Sequence, residues 1–416
     1  MTFTLPEALT LTPEQVATQI EEYKYLHQHP ELSHQEFETT NYLQTQFEAL
    51  ELGEGIRREI HRVGETGLVL VLKNGEGPII GYRADTDGLP VLEDTGLDYA
   101  SVATTMVDGA PTPLMHACGH DSHMAVALAT ARLFAANPAE WSGTLVFILQ
   151  PAEETGSGAQ RMLDDGLWDI APRPKVIFGQ HVLPAPKGHF LVSAGEFMAA
   201  SDSYDVKVFG QGGHGSQPES TIDPIVLGAS MITRLQTIVS REVAPLDSVV
   251  VTVGTFHGGT KNNIIPDSAT FTLNIRTFNP ATRQKVLDAV HRIIRGEALV
   301  AGAPEPEITA QPSFPPTIND PVTTAHVQEV IKGALGEQFV IADDSMKLMG
   351  SEDFSLLATA LGVPYTYWGF GGFSAEAFAA GTLPSNHSPF FAPDPDITLE
   401  AATRAATAVL LDALKN

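Results

Sequence analysis

Apolar runs without polar alternation recur along the first half of the chain and predict strands that are buried on both faces. These runs are Gly67–Leu72, Pro78–Arg83, Thr144–Leu149 and Val176–Gln180. Apolar residues at helical spacing predict helices over Pro13–Leu52, with a break near Pro30, and up to Ala136 from an N-cap at Asp121 or Ser122. The alternation of strands and helices predicts an α/β fold class, in which helices flank a mixed, largely parallel sheet.

The middle of the chain has a different order of elements, which predicts a second, inserted domain. Its strands are expected at Ser203–Phe209, Ser248–Phe256, Thr270–Phe278 and Glu305–Gln311, and its helices at Pro224–Glu242 and Thr282–Val300. The order βαββαβ is that of a split-βαβ, or ferredoxin-like, module with one sheet and two helices. We therefore expect residues 1–200 and 313–416 to form a main domain and residues 201–312 an insertion. The main domain would end with helices at Val322–Leu335, Asp353–Leu361 and Ile397–Leu414.

The composition narrows the classes of partner. The formal net charge is −26, and such an acidic surplus repels nucleic acid and anionic membranes. No apolar run approaches the ~18 residues of a membrane span, and the amino-terminal sequence lacks the basic start and apolar core of an export signal. The chain has one cysteine, so it cannot form an internal disulfide, as is typical in a reducing cytoplasm. We expect a cytoplasmic protein whose partners include neither nucleic acid nor a membrane.

The single cysteine lies in the densest group of metal-ligand side chains in the sequence. His116, Cys118, His120, Asp121 and His123 all fall between positions 116 and 123. Thiolate and imidazole together suit Zn²⁺, Mn²⁺, Co²⁺ or Ni²⁺ far better than Mg²⁺ or Ca²⁺. A buried structural thiol is one competing interpretation, and a thiol nucleophile with a histidine base is another. The clustering favours a metal site.

Further carboxylates and an imidazole come shortly after predicted strands. They are Asp85, Asp87, Glu153, Glu154 and, directly after the strand expected to end at Gln180, His181. In an open α/β sheet the ligand site lies beyond the carboxyl ends of the strands, so we expect these side chains to meet at one edge. A metal acidifies water, and a nearby carboxylate can accept the proton. A metal with one free acid is therefore sufficient for hydrolysis.

Motifs spread over nearly the whole chain resemble, in order, those of peptidase family M20, and in particular its amidohydrolase branch. That branch contains aminoacylases, hippurate hydrolases and hydrolases of indole-acetyl-amino acids. The matching stretches are His27–Ser33, Arg83–Pro90, Met115–Asp121, Gln150–Glu154, Gly212–Ser216, Asn263–Asp267, Met349–Phe354 and Asn386–Pro389. The resemblance implies a catalytic α/β domain with an inserted lid domain that dimerises, which agrees with the order of elements above.

The resemblance also implies a dinuclear site for two divalent ions (Zn, Mn, Co or Ni), with Cys118 as the bridging ligand. The remaining ligands would be His120 and His181 on one ion, and Glu154 and His387 on the other. Glu153 would then be the general base, since two metals can together polarise the scissile carbonyl and activate water.

The resemblance also implies roles for residues that are not metal ligands. Asp85 and Asp87 would support the site, for example by orienting a ligand histidine. His214 of the lid would reach the active site of a second copy in a homodimer, or a higher homo-oligomer, and stabilise the oxyanion. Asn263 and Arg276 match contacts to the substrate carboxylate, and a guanidinium suits such a contact. For Arg276, an ordinary charge at a strand edge is an equal interpretation.

The implied activity is metal-dependent hydrolysis of the amide bond of small N-acyl amino acids, which releases a carboxylate and a free amino acid. A dipeptidase or exopeptidase that uses the same two metals is the nearest alternative. A non-catalytic relative that only binds a ligand is a third hypothesis, and the presence of every implied ligand together with Glu153 argues against it. The sequence fixes neither the acyl group nor the native metal.

Overall fold

The computed structural model describes residues 3–415, and the chain forms two compact units. The first unit comprises the residues up to Gly195, residues 318–346 and the residues from Asp353 onwards; the second comprises residues 196–317 and 347–352. Among the helices of residues 3–415, none combines the length and hydropathy that a membrane crossing requires.

The strands are short to medium in length and are numbered here in chain order. They are β1 (Arg57–Val63), β2 (Gly67–Asn74), β3 (Ile79–Asp85), β4 (Thr104–Val107), β5 (Ala110–Pro113), β6 (Gly143–Gln150), β7 (Val176–Pro186), β8 (Phe190–Leu191), β9 (Gly195–Met198), β10 (Ala200–Phe209), β11 (Gly213–His214), β12 (Val249–Gly258), β13 (Ile264–Ile265), β14 (Ser268–Thr277), β15 (Glu307–Ala310), β16 (Thr317–Asn319), β17 (Val340–Ile341) and β18 (Tyr365–Phe373).

The α-helices are numbered in the same way. They are α1 (Pro13–Gln28), α2 (Phe37–Glu48), α3 (His120–Ala136), α4 (Gly158–Asp164), α5 (Leu167–Ile170), α6 (Pro224–Thr237), α7 (Pro280–Val300), α8 (Pro321–Leu335), α9 (Ser355–Thr359), α10 (Ala375–Ala380) and α11 (Pro395–Lys415).

The first unit is built on an eight-stranded sheet with the order β1-β2-β6-β3-β7-β18-β8-β17. Its centre is parallel, because β6, β3, β7 and β18 pair with one another in the same direction. The edge strand β1 pairs with β2 in the antiparallel sense, and β2 pairs with β6 in the same way. The predicted α/β architecture with a mainly parallel central sheet is confirmed.

Both faces of this sheet are covered, as the apolar strands predict. Every residue of β6 is buried. Leu145, Phe147 and Leu149 belong to the large core that also contains residues of α1, α3, α8 and α11. Val146 and Ile148 are equally inaccessible to solvent but point to the opposite face. A strand buried on two sides needs apolar residues at every position, which is why β6 shows no polar alternation.

Helix α3 begins earlier than the capping pattern predicts. Its N-cap is Gly119, whose φ of 81° is left-handed, and Asp121 and Ser122 lie inside the first turn. The expected N-cap at Asp121 or Ser122 is therefore wrong. Glycine adopts a left-handed conformation without a steric penalty, so the chain enters the helix directly at His120. The Ser122 hydroxyl donates to the Gly119 carbonyl, 2.5 Å away.

The second unit contains a four-stranded antiparallel sheet with the order β12-β14-β10-β15. Along the chain the elements follow the order β10-α6-β12-β14-α7-β15. Leu235 of α6 and Ile294 of α7 pack with Phe271 of β14 in one apolar core. Helix α6 begins at Pro224 behind Asp223, whose carboxylate accepts the N–H groups of the first turn.

Candidate metal centre and active site

The carboxyl ends of adjacent parallel strands bring the candidate residues of the first unit to one edge of its sheet. Strand β3 ends at Asp85, which pairs with Gln150 at the end of β6. Strand β7 pairs with β3 only as far as Gly179 and then continues beside β18 to Pro186. His181 therefore lies within a strand, and the expected strand end at Gln180 is wrong. His181 nevertheless lies at the edge of the β3–β7 pairing, because that pairing ends at Gly179.

In two imidazoles, those of His120 and His181, Nδ1 contacts a backbone carbonyl, so that Nε2 faces this edge. His120 Nδ1 lies 2.8 Å from the carbonyl oxygen of Asp87, and His181 Nδ1 lies 2.8 Å from that of Val182. A carbonyl only accepts hydrogen bonds, so Nδ1 carries a proton in each ring and Nε2 is the nitrogen that can bind a cation. His181 Nε2 is 3.5 Å from Cys118 Sγ.

Glu154 and His387 complete the group. Glu154 Oε1 lies 3.8 Å from His120 Nε2, and Glu154 Oε2 lies 3.3 Å from His387 Nε2. His387 is held by its backbone, whose N–H donates to the carbonyl of Ala117 at 2.8 Å. Ligand atoms of Cys118, His120 and Glu154 all lie within 4.8 Å of one another. The structure thus brings together all five residues for which metal binding is predicted.

The chemistry of these atoms fits divalent metals. His120 Nε2 and Glu154 Oε1 are buried and have no hydrogen-bond partner in the protein. Buried polar atoms without a partner are costly, and a cation would satisfy both of these. The set combines a sulfur, imidazole nitrogens and a carboxylate, which is typical of transition-metal sites.

The pKa values of Cys118 and Glu154 also indicate that this group lacks a positive charge. Burial, followed by the negative charges of Glu154 and Glu153, raises the pKa of the Cys118 thiol well above its ordinary value. Burial also raises the pKa of Glu154 to about 7. A reactive thiol needs surroundings that stabilise its thiolate, so this environment argues against Cys118 as an unaided nucleophile. A bound cation would supply the missing positive charge.

Glu153 lies beside this group on the turn that follows β6. Its carboxylate oxygen Oε2 is 3.9 Å from His120 Nε2, and the residue is 4% exposed. Its backbone N–H donates to Asp87 Oδ1 at 3.1 Å, and the N–H of Glu154 donates to Asp87 Oδ2 at 3.0 Å. The two adjacent acids are therefore placed together by one carboxylate from the neighbouring strand end.

The two predicted supporting residues make their shortest histidine contacts to different rings, although Asp85 Oδ2 also lies 3.6 Å from His120 Nε2. Asp87 fixes His120, since its side-chain oxygen Oδ1 also lies 3.3 Å from His120 Nδ1. Asp85 Oδ1 lies 2.5 Å from His123 Nδ1, and its other oxygen pairs with the buried Arg83 at 2.7 Å. Burial raises the pKa of Asp85, but the charges of His120, His123 and Arg83 more than offset this and lower it well below its ordinary value.

His123 was in the sequence cluster without an assigned role, and its surroundings explain why it differs from its neighbours. Its Nε2 accepts the N–H of Val182 at 2.9 Å, while its Nδ1 faces Asp85. Both nitrogens are therefore used within the protein, although the ring lies only 4.6 Å from that of His181. Through its hydrogen bond with Val182, this histidine fixes the position of β7, the strand that carries His181. A sequence window cannot separate it from His120, because the difference lies in long-range partners.

A second buried histidine, His27, lies close to the site, although the sequence assigns it no role. His27 Nδ1 lies 2.7 Å from Asp121 Oδ2, and His27 Nε2 lies 3.0 Å from Glu93 Oε1. It joins α1 to the first turn of α3 and to the loop after β3. In that loop the N–H of Asp94 donates to the carbonyl of Pro389, close in sequence to His387. The only sequence signal was the resemblance of the His27–Ser33 stretch.

The remaining candidates lie in the second unit. His214 and Asn263 are brought together by a two-stranded ribbon, in which the Gly215 N–H donates to the Asn263 carbonyl at 2.9 Å. Arg276 is on β14, where its guanidinium donates to Ser351 Oγ at 2.6 Å. His214 is exposed, and its Nδ1 lies 2.7 Å from Ser216 Oγ and accepts the Ser216 N–H at 3.1 Å. The proton of this imidazole is consequently on Nε2.

Comparison with known proteins gives a consistent result. The chain is 38% identical over 335 residues to the N-acetylcysteine deacetylase of Bacillus subtilis strain 168, covering 80% of this chain and 82% of that protein. It is 36% identical over 366 residues to the hippurate hydrolase of Campylobacter jejuni, covering 87% and 90% of the two chains. A crystal structure of the YXEP protein of Bacillus subtilis, described as a dinuclear metal binding peptidase from the M20 family, superposes with a TM-score of 0.76. That structure is 30% identical and covers 97% of this chain and 99% of its own. Residues 81–415 match peptidase family M20/M25/M40, and the chain belongs to this family.

Proposed function

We propose that this protein hydrolyses the amide bond of N-acyl amino acids and releases a carboxylate and a free amino acid. The observation that carries the proposal is the pair of buried atoms His120 Nε2 and Glu154 Oε1 beside Cys118, neither of which has a hydrogen-bond partner in the protein. A second acid, Glu153, lies next to them. Membership of the family supports metal-dependent hydrolysis. The names of relatives that act on acetylcysteine and hippurate support an N-acyl amino acid as the substrate.

The proposed cofactors are two divalent ions, drawn from Zn, Mn, Co and Ni. Cys118 would bridge them, with His120 and His181 on one ion and Glu154 and His387 on the other. When bound, the ions supply Lewis acidity that polarises the scissile carbonyl and lowers the pKa of water. The hydrogen bond of His120 Nδ1 to the Asp87 carbonyl fixes the tautomer and the ring orientation that such a ligand needs.

Glu153 is the proposed acid–base residue. Its carboxylate would accept the proton of the attacking water and deliver it to the amide nitrogen as the C–N bond breaks. Glu154 is less suited to this role because its two oxygens face His120 and His387. The choice of Glu153 is supported by the hydrogen bond that its backbone N–H donates to Asp87. This bond anchors the residue at the edge of the central sheet.

The second unit is proposed to be a ferredoxin-like lid and dimerisation domain. His214 of a second copy would donate from Nε2 to the developing oxyanion, in keeping with the tautomer that Ser216 imposes. Asn263 and Arg276 would contact the carboxylate of the substrate. Burial lowers the pKa of Arg276, and its contacts with Ser351 and Asn274 already orient the guanidinium plane.

Hydrolysis of a small substrate panel tests this function. The panel contains hippurate, N-acetyl-, N-lauroyl- and indole-acetyl-amino acids and two dipeptides, each measured before chelation, after chelation and after metal is restored. We expect activity on acyl amino acids that is lost with the chelator and returns with Mn²⁺, Zn²⁺ or Co²⁺.

Two variants complete this test. Glu153→Gln should lower kcat/KM by ~10²–10⁴. Glu76→Gln, which changes an exposed glutamate in the same unit, should match the parent protein. Activity on dipeptides alone would make the enzyme an exopeptidase. Activity that survives chelation would overturn the metal-dependent mechanism.

A further inference from the structure

The turn that carries Glu153 is built on an alanine with a left-handed backbone. Ala152 has a φ of 50°, which residues other than glycine rarely adopt, and it is completely buried. It lies between the end of β6 and the two acids of the candidate site. Such a conformation persists only where surrounding contacts hold it, and it is common where side chains are aimed at a reacting group.

Three consecutive backbone N–H groups of this turn are held by two buried carboxylates. The N–H of Ala152 donates to Glu36 Oε1 at 2.8 Å. The N–H groups of Glu153 and Glu154 donate to the two oxygens of Asp87. Asp87 also lies against His120, so it serves two parts of the site at once. Glu36, by contrast, accepts its hydrogen bond from the left-handed residue of the turn, Ala152.

Glu36 is itself fixed at both ends. Its side chain is fully buried, and its second oxygen accepts the Thr66 hydroxyl at 2.7 Å. Its backbone carbonyl accepts the Thr40 hydroxyl at 2.7 Å, next to the first turn of α2. An acceptor anchored in this way cannot follow the turn if the turn relaxes. The position of Ala152 is therefore imposed from outside the turn.

We infer that Glu36 is a positioning residue for Glu153: its carboxyl group holds the Ala152 N–H and so keeps the turn in the left-handed conformation that aims Glu153 at the metal centre. The inference rests on the proposed role of Glu153. Burial, followed by the charge of Asp87, raises the pKa of Glu36 to about 7. Oε1 can accept the Ala152 N–H whether or not the carboxyl group carries a proton, because a protonated Oε2 can donate to Thr66. A glutamine at this position has the same shape and the same acceptor.

Variants at position 36 separate positioning from mere stability. We expect Glu36→Gln to keep kcat close to that of the parent protein. Glu36→Ala should lower kcat about 100-fold, the order of loss for a reacting group misplaced by ~1 Å, with KM and the number of bound metals little changed. A second substitution, Ala152→Gly, allows the left-handed φ without external support. We expect it to restore much of the lost kcat in the Glu36→Ala background.

Asp165 offers a control for the loss of a carboxylate that holds a backbone N–H, at a site that is exposed where Glu36 is buried. Its carboxylate accepts the N–H of Gly64 at 2.8 Å, and Gly64 also has a positive φ of 68°, but this bond lies outside the site. Asp165→Ala should lower the melting temperature and leave kcat unchanged. If Glu36→Ala does not fold, Glu36→Asp withdraws the acceptor while keeping the acid, and it should show the same loss of kcat.

The results distinguish this inference from the proposed function. A folded Glu36→Ala or Glu36→Asp protein with the kcat of the parent overturns the positioning role while leaving the hydrolase intact. A loss of kcat that Ala152→Gly does not relieve, or that Glu36→Gln shares, likewise overturns it. If the parent protein itself has no chelator-sensitive amidase activity, the proposed function fails first, and the inference falls with it.

Discussion

The buried imidazole of His27 makes the stability of this protein depend on pH in a defined window. Burial alone would lower the pKa of His27, but the hydrogen bonds and charges of Asp121 and Glu93 offset this and raise it from 6.5 to about 9. Between these two values the folded chain holds a proton that the unfolded chain has released. Stability therefore falls as the pH rises through this range.

The magnitude follows from the size of the window. The two pKa values differ by about 2.5, and at about 1.4 kcal/mol per pH unit the full contribution of His27 lies between about 3 and 4 kcal/mol. It is present in full below pH 6.5 and is almost entirely lost by pH ~9.5. Burial raises the pKa of Glu93 and of Asp121, but the same pairing with His27 more than offsets this and lowers both values. These shifts describe the same interaction and are not added to the first.

Urea unfolding at pH 6.0 and pH 9.5 measures this contribution, with a chelator present so that pH-dependent metal binding does not enter. We expect the parent protein to lose about 3 kcal/mol more between these pH values than His27→Gln, which has no titrating group at this position. His29→Gln is the control, because His29 is exposed at the end of the same helix. If the difference in free energy of unfolding between parent and His27→Gln is the same at both pH values, the reasoning is refuted.

Three further outcomes follow from the candidate site. Glu153→Gln should lower kcat/KM by ~10²–10⁴ while the metal content by elemental analysis stays the same, and activity equal to the parent would exclude Glu153 as the base. Gly119→Ala should lose ~1–3 kcal/mol more than Gly109→Ala in denaturant unfolding, since an added Cβ would lie 2.4 Å from Val182 at Gly119, whereas Gly109, also at positive φ, has open space. Equal losses would show that only backbone strain matters. Cys118 should react with a thiol reagent more slowly in the metal-loaded protein than after chelation, and a rate independent of metal would count against it as a ligand.

Local sequence patterns predict the central strands because these strands are buried, and therefore apolar, at almost every position. Strands β2, β3 and β6 are buried along almost their whole length, so their apolar runs carry the signal. The sequence pattern does not predict the edge strand β1, because it contains exposed or partly exposed charged residues, namely Arg57, Arg58, Glu59 and Arg62. The hairpin formed by β4 and β5 is not predicted either, because each strand has only four residues and all of them are exposed or partly exposed. An edge strand has charged residues on its solvent side, and this removes the apolar run by which a strand is recognised.

The sequence by itself determined the fold class and the chemical character of the centre, because buried strands need apolar residues at every position and a cluster of thiol and imidazole groups indicates transition metals. Tertiary structure decided which of these groups are available. It directs both nitrogens of His123 into protein contacts and leaves His120 Nε2 without a hydrogen-bond partner. It also brings Glu36 to Ala152 across 116 positions of sequence. Contacts over such distances depend on how strands and helices pack, and no local pattern of residues encodes them.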